Sequence, residues 1–81
     1  MTLAITFGRV LRELRKKAKL TQEQLGFEAE LERNYISMLE RGERQPTLST
    51  LMKLAPPLKC TASQLVALVE FAVGITSTQG N

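Results

Sequence analysis

The sequence has no histidine, no aspartate and no tryptophan, and it has a single cysteine, Cys60. One cysteine cannot form an intramolecular disulfide. A zinc site draws on Cys, His and carboxylate ligands, and only glutamates are numerous here, so we expect no metal and no cofactor. The missing histidine excludes a Ser-His-Asp site. Because no paired arrangement of lysines or glutamates suggests other chemistry, we predict that the protein is not an enzyme.

Long apolar runs are also missing. No apolar stretch approaches the roughly 20 residues needed to cross a bilayer, and the first ten residues, MTLAITFGRV, lack the charged and long apolar regions of a signal peptide. We therefore expect no membrane partner and a cytoplasmic location. The 81 residues predict one small domain over 1–81. Its core should run from about residue 6 to residue 73, with a flexible tail at 74–81.

Basic residues are concentrated near the start of the chain. Six of the eleven lysines and arginines lie between Arg9 and Lys19, where Glu13 is the one acidic residue. A positive stripe of this kind favours nucleic acid or another polyanion as a partner. The same cluster is also typical of a solvated helix face in any small protein, and charge alone does not distinguish the two interpretations.

Apolar spacing and capping patterns predict five helices. Thr21 with Gln24, and Thr61 with Gln64, are capping boxes that predict the starts of the second and fifth helices. We place the fifth helix at about 62–73. For the first helix we predict Thr6 as the N-cap. The apolar stripe of that helix then follows helical spacing and consists of Phe7, Val10, Leu11, Leu14 and Ala18.

The segment LERNYISMLERG, residues 31–42, predicts a third helix with two different faces. At about 100° per residue, Tyr35, Ile36 and Leu39 share a buried face. Gly42 suits the end of this helix, because left-handed backbone is common there. The opposite face is polar and basic, and it consists of Arg33, Asn34, Ser37, Met38 and Arg41.

The last two helices differ in how much apolar surface they carry. Thr47 should cap the fourth helix, and Pro56 and Pro57 should end it. The fifth helix is apolar nearly all round, which is typical of a helix buried on more than one side. Either the chain folds back over it or a second copy covers it, and we favour a homodimer because little chain remains. The predicted dimer interface consists of Leu65, Leu68, Val69, Phe71 and Ala72.

Two short helices joined around residues 30–32 form a helix-turn-helix, whose second helix can enter the DNA major groove. Arginine can bond the O6 and N7 atoms of guanine, and asparagine can bond the N6 and N7 atoms of adenine. Arg33 and Asn34 stand at the start of the third helix, where such motifs contact bases. The alternative is an ordinary surface helix with assorted polar residues, which periodicity does not reject.

The stretch LRELRKKAKLTQEQLGFEAELERNYISMLERGERQPTLSTLMKLA, Leu11 to Ala55, resembles the Cro and phage-repressor-like (Xre-like) helix-turn-helix family. The resemblance extends from about Phe7 to Leu68, and LTQEQL followed by YISMLERGERQPTLSTL is its most specific part. It implies an all-α fold: a compact five-helix bundle of the lambda-repressor-like DNA-binding type, with the helix-turn-helix at helices two and three.

The resemblance also implies roles for individual residues. Arg15 and Glu40 match a buried ion pair between the first and third helices. Two departures concern the turn: Glu30 replaces a usual glycine, although glutamate disfavours left-handed backbone, and Glu32 replaces a usual serine or threonine cap. The residues that match groove-facing positions are Arg33, Asn34, Ser37 and Met38. Those that match phosphate-contacting positions are Gln22, Tyr35, Arg41, Arg44 and Gln45.

The sequence thus predicts a transcriptional regulator that binds specific double-stranded DNA as a dimer. Its operator would be pseudo-palindromic, and residues 33–41 or so would lie in the major groove. The small size resembles the controller proteins of restriction–modification systems, although prophage repressors and antitoxins share the architecture. RNA polymerase is a further candidate partner. The alternative function is an antitoxin or adaptor of the same fold whose main partner is a protein.

Overall fold

A computed structural model describes residues 2–74 of the chain. These residues form the helices α1 (Leu3–Lys17), α2 (Gln22–Ala29), α3 (Arg33–Glu40), α4 (Leu48–Leu54) and α5 (Ala62–Val73), and a 3-10 turn at Pro56–Leu58. The described part of the chain contains no β-strand, which confirms the predicted all-α class with five helices. None of the described helices is long and apolar enough to span a membrane. The predicted tail lies outside the described residues except for Gly74.

Threonine caps define the starts of α2, α4 and α5, as predicted. Thr21, Thr47 and Thr61 each accept a hydrogen bond from the backbone N–H three residues later. Gln24 and Gln64 complete the two capping boxes by accepting from the backbone N–H of the capping threonine. Because each capping box satisfies two backbone N–H groups that would otherwise lack a partner, the boundaries of α2 and α5 follow from the local sequence.

The predicted N-cap of α1 is wrong. The helix begins at Leu3, and Thr2 caps it by accepting a 3.1 Å hydrogen bond from the N–H of Ile5. Thr6 lies inside the helix and is buried, and its hydroxyl bonds to the carbonyl oxygen of Thr2 at 3.3 Å. The apolar stripe did not reveal the first turn because Leu3 and Ile5 are half exposed there.

The core receives side chains from all five helices. Six of its residues are completely buried, and burial of each contributes about 1.5–3 kcal/mol relative to exposure. They are Leu11, Leu25, Ile36, Leu39, Leu54 and Leu65. Since each helix buries one face in this cluster, the opposite face of each is left to solvent or to a partner.

A glycine allows α1 and α3 to meet backbone to backbone. A Cβ added at Gly8 would lie 2.5 Å from the carbonyl oxygen of Leu39 and 2.6 Å from that of Glu40. No side chain fits at that distance, so glycine is required for this approach. The contact holds the C-terminal end of α3 against α1 and keeps the outer face of α3 directed away from the core.

Candidate nucleic-acid interface

The turn between α2 and α3 uses a left-handed residue that is not glycine. Glu30 adopts φ 60° and ψ 43°, a conformation that costs a non-glycine residue roughly 1–2 kcal/mol. The N–H of Leu31 then bonds to the carbonyl oxygen of Gly26 at 2.8 Å. Glu32 is the N-cap of α3 by its extended backbone, but its side chain makes no capping hydrogen bond. The left-handed backbone of Glu30 thus gives the turn the geometry that a glycine at residue 30 would give it.

The two faces of α3 are those predicted from its periodicity. Ile36 and Leu39 are fully buried, whereas Arg33 and Asn34 are exposed. Ser37 and Met38 are half-buried and complete the outer face with these two residues. The structure thus brings the four candidate base-reading residues together on one surface, with hydrogen-bonding groups at its N-terminal end.

Tyr35 lies between the two faces of α3. It packs against the core, and its hydroxyl is 3.3 Å from the Oγ1 atom of the buried Thr50 on α4. Either hydroxyl can be the donor of this hydrogen bond. Tyr35, which the resemblance assigned to phosphate contact, therefore also connects α3 to α4.

Glu40 is the centre of a buried polar cluster. Its Oε2 accepts from Arg15 Nε at 2.6 Å, and its Oε1 accepts from Arg15 Nη2 and from Gln22 Nε2, both at 3.0 Å. Arg15 Nη1 also donates to the carbonyl oxygen of Leu20 at 2.9 Å. The side chains of Arg15 and Glu40 are only 11% and 3% exposed, so the cluster joins α1, α2 and α3 in a nearly dry environment.

This cluster holds Gln22 in a defined orientation. An amide nitrogen carries two N–H groups, and one of them is directed at Glu40. The resemblance assigned Gln22 to a phosphate contact but did not show its connection to Glu40, which lies on a different helix.

A second ion pair lies on the surface at the end of α3. Arg41 Nε donates to Glu43 Oε2 at 2.7 Å, and Arg41 Nη2 donates to Glu43 Oε1 at 3.1 Å. Arg41 Nη1 also donates to Ser37 Oγ. The hydrogen bonds between Arg41 and Glu43, together with the attraction between their opposite charges, lower the pKa of the Glu43 carboxyl and raise the pKa of Arg41. Sequence analysis did not single out Glu43.

Two of the candidate phosphate-contacting residues lie in the loop between α3 and α4. Arg44 and Gln45 are exposed, and the charge of Arg44 also lowers the pKa of Glu43.

The basic cluster of α1 is divided by the structure, because Arg15 is buried in its ion pair while its neighbours Arg12 and Lys16 face solvent. Arg15 is therefore not part of a solvent-facing positive stripe.

The structure divides the five residues of the predicted dimer interface between the core and the surface. Leu65 and Val69 belong to the core of their own chain, with 0% and 8% of their surface exposed. Leu68 and Phe71 are 43% and 78% exposed, and Ala72 is exposed with them. Only these three of the five residues offer much surface to a partner, because the first two are covered by the core of their own chain.

Comparison with known proteins adds to this geometry. The family model described as Helix-turn-helix matches residues 11–65, which span the caps of α2, the turn, α3 and α4. The chain belongs to this helix-turn-helix family of DNA-binding transcriptional regulators, as the resemblance implied.

Among its relatives is the control protein C.MunI from Mycoplasma sp., which is 38% identical over 69 residues, or 84% of this chain and 93% of that protein. The immunity repressor of Bacillus phage phi105 is 40% identical over 62 residues, or 76% of this chain but only 43% of the repressor. The crystal structure of the restriction-modification controller protein C.AhdI from Aeromonas hydrophila has a TM-score of 0.73 and 40% identity. That similarity covers 76% of this chain and 94% of C.AhdI.

Proposed function

We propose that the protein regulates transcription by binding a pseudo-palindromic operator as a homodimer, with α3 of each subunit in the major groove. The observation that carries this proposal is the outer face of α3. It presents Arg33, Asn34 and Ser37 together, while the backbone contact at Gly8 and the Glu40 cluster hold the helix from behind. A rigidly supported helix with hydrogen-bonding groups outward suits direct base recognition.

The proposed roles divide into base recognition and phosphate binding. Arg33 and Asn34, at the exposed N-terminal end of α3, would specify bases, with Ser37 and Met38 beside them. Tyr35 can donate its phenolic proton to a phosphate when Thr50 donates to the phenolic oxygen. Phosphate contacts fix register but carry no sequence information directly. The other proposed phosphate contacts are Gln22, Arg41, Arg44 and Gln45.

The proposed dimer interface is the exposed side of α5. Leu68, Phe71 and Ala72 border a shallow groove whose other wall is formed by Val10 and Leu14 of α1. Burial of this surface by a second copy would place two copies of α3 on one side of the DNA. Half-sites about 34 Å apart, one turn of the duplex, are the geometric expectation.

The controller proteins of restriction–modification systems are the subfamily that we favour. C.MunI and C.AhdI, which are named as control and controller proteins, are matched by this chain over 93% and 94% of their length. Such a dimer would act in the cytoplasm, without catalysis, by excluding or recruiting RNA polymerase at a promoter.

One observation favours the alternative of an antitoxin or adaptor. Leu48, Met52 and Val66 are 75%, 60% and 46% exposed on α4 and α5, away from the proposed dimer interface. Exposed apolar side chains in proximity are typical of protein-binding surfaces. Co-purification of a second small protein with the chain, lost on changing Leu48 to glutamate, would support this function.

Selection of bound duplexes from a random DNA pool tests the main proposal, and two arginine variants make the test specific. Arg33→Ala should remove the preference at one base position of each half-site and cost about 1–3 kcal/mol. Arg44→Ala should weaken all duplexes alike and reduce the salt slope of binding by about one. Equal weakening of all duplexes by Arg33→Ala would show that Arg33 contacts only phosphate. No preference in the unaltered protein would reject the proposed function.

A further inference from the structure

The turn after α3 fixes the position of Glu43. Gly42 has φ +77°, and its N–H bonds to the carbonyl oxygen of Leu39 at 3.1 Å. The N–H of Glu43 bonds to the carbonyl oxygen of Met38 at 3.0 Å. A Cβ added at Gly42 would lie 2.7 Å from Cγ1 of Ile5, so α1 supports the turn from behind. The backbone of Glu43 is therefore held beside the outer face of α3.

From this position the Glu43 carboxylate receives the guanidinium of Arg41 in a two-bond arrangement. The Nε and Nη2 groups of Arg41 bond to the two carboxylate oxygens at 2.7 and 3.1 Å. This is also the arrangement in which arginine binds a phosphate group. With Nη1 directed at Ser37, each of the three guanidinium nitrogens of Arg41 already donates a hydrogen bond within the protein, and the Nε–Nη2 edge that could bind a phosphate is taken by Glu43.

We propose that Glu43 is an intramolecular competitor of the DNA phosphates for Arg41, and that it lowers the affinity of the protein for all duplexes. The proposal rests on the proposed function, since it concerns how strongly the same surface binds DNA. Non-specific binding is supplied almost entirely by phosphate contacts. A carboxylate that occupies one arginine therefore limits the time that the protein spends on DNA lacking its operator.

Two properties of the pair suit this role. Both side chains are about half exposed, at 53% and 51%, so a phosphate can approach Arg41 without any rearrangement of the core. The pKa of Glu43 lies below its usual value because Arg41 bonds to it. Its negative charge is then lost only as the pH falls through that lowered pKa, so the competition should be constant between about pH 6 and pH 8.

The test is a mutant cycle of E43Q, R41A and the double variant, each measured with an operator duplex and with an unrelated duplex. E43Q should tighten binding to both duplexes by about threefold and make the salt slope steeper by about one. The tightening should be smaller in the R41A background, where there is no guanidinium to release. Glu28→Gln, which removes the same charge from the exposed surface of α2, is the matched control and should change binding less.

Three outcomes would overturn the inference. Equal tightening by E43Q in both backgrounds would mean that charge alone acts at a distance. Selective loss of operator binding would mean that Glu43 positions Arg41 for recognition instead of competing for it. Unchanged binding would exclude both effects. Failure of the unaltered protein to prefer any duplex is a different result, because it rejects the proposed function itself.

Discussion

At the scale of single residues, the two Arg–Glu pairs differ in burial and therefore in what they do. The side chains of Arg15 and Glu40 are almost fully buried and connect α1 to α3, whereas those of Arg41 and Glu43 are half exposed beside the outer face of α3. The buried pair is implied by the resemblance of the sequence to its family. The exposed pair depends on the left-handed turn at Gly42, which places Glu43 back over α3, so residue spacing alone did not reveal it.

The buried pair should matter most for stability. Glu40→Gln should lower the free energy of unfolding by about 3 kcal/mol, because it leaves the buried guanidinium of Arg15 without its carboxylate. Urea denaturation followed by circular dichroism measures the change. Glu43→Gln is the matched control, since it makes the same chemical change in an exposed pair and should leave the urea midpoint nearly unchanged. Similar midpoints for the two variants would show that the Arg15–Glu40 pair contributes little.

At the scale of helices and turns, local chemistry explains most of what could be predicted. Thr21, Thr47 and Thr61 mark helix starts because a threonine side chain satisfies a backbone N–H of the first turn. The prediction failed at α1, where two threonines lie four residues apart and both precede apolar residues. The apolar stripe, which begins at Phe7, favoured Thr6 as the N-cap, whereas the N-cap in the structure is Thr2.

The turn between α2 and α3 retains strain that a glycine would relieve. Glu30→Gly should raise the free energy of unfolding by about 0.5–1 kcal/mol, because the gain from relieving left-handed glutamate exceeds the added flexibility of the unfolded chain. Thermal and urea unfolding both report the change. Glu30→Gln keeps the Cβ and removes only the charge, so it should not stabilise the protein. Equal stabilisation by both variants would assign the effect to charge and not to the backbone.

At the scale of the whole molecule, α5 presents apolar surface on two sides beyond its own core. One side carries Leu68 and Phe71 beside α1, and the other carries Val66 beside Leu48 of α4. The composition of α5 predicted that it would be covered on more than one side. The composition did not separate the core residues Leu65 and Val69 from the surface residues. In a helix that is apolar nearly all round, the spacing of apolar residues does not show which face is buried.

The oligomeric state can be tested on the exposed side of α5. Phe71→Glu should convert a dimer into a monomer, so that sedimentation gives the mass of one 9.0 kDa chain instead of two. Because Phe71 is 78% exposed within the chain, the substitution should cost little stability in the monomer. Phe27 on α2 is 84% exposed, and Phe27→Glu serves as the control that should remain dimeric. A dimer that survives Phe71→Glu would place the interface elsewhere.

The close approach at Gly8 has an evolutionary consequence. The helix α3 is held to α1 by the main-chain contact at Gly8 and by the buried Arg15–Glu40 pair, whereas Arg33 and Asn34 are exposed at its other end, outside these contacts. In the proposed mode of binding, descendants of this chain can exchange those two side chains and acquire a new DNA target while inheriting an unchanged framework. Divergence of target sites within a lineage then requires few mutations, and those mutations need no compensating changes inside the protein.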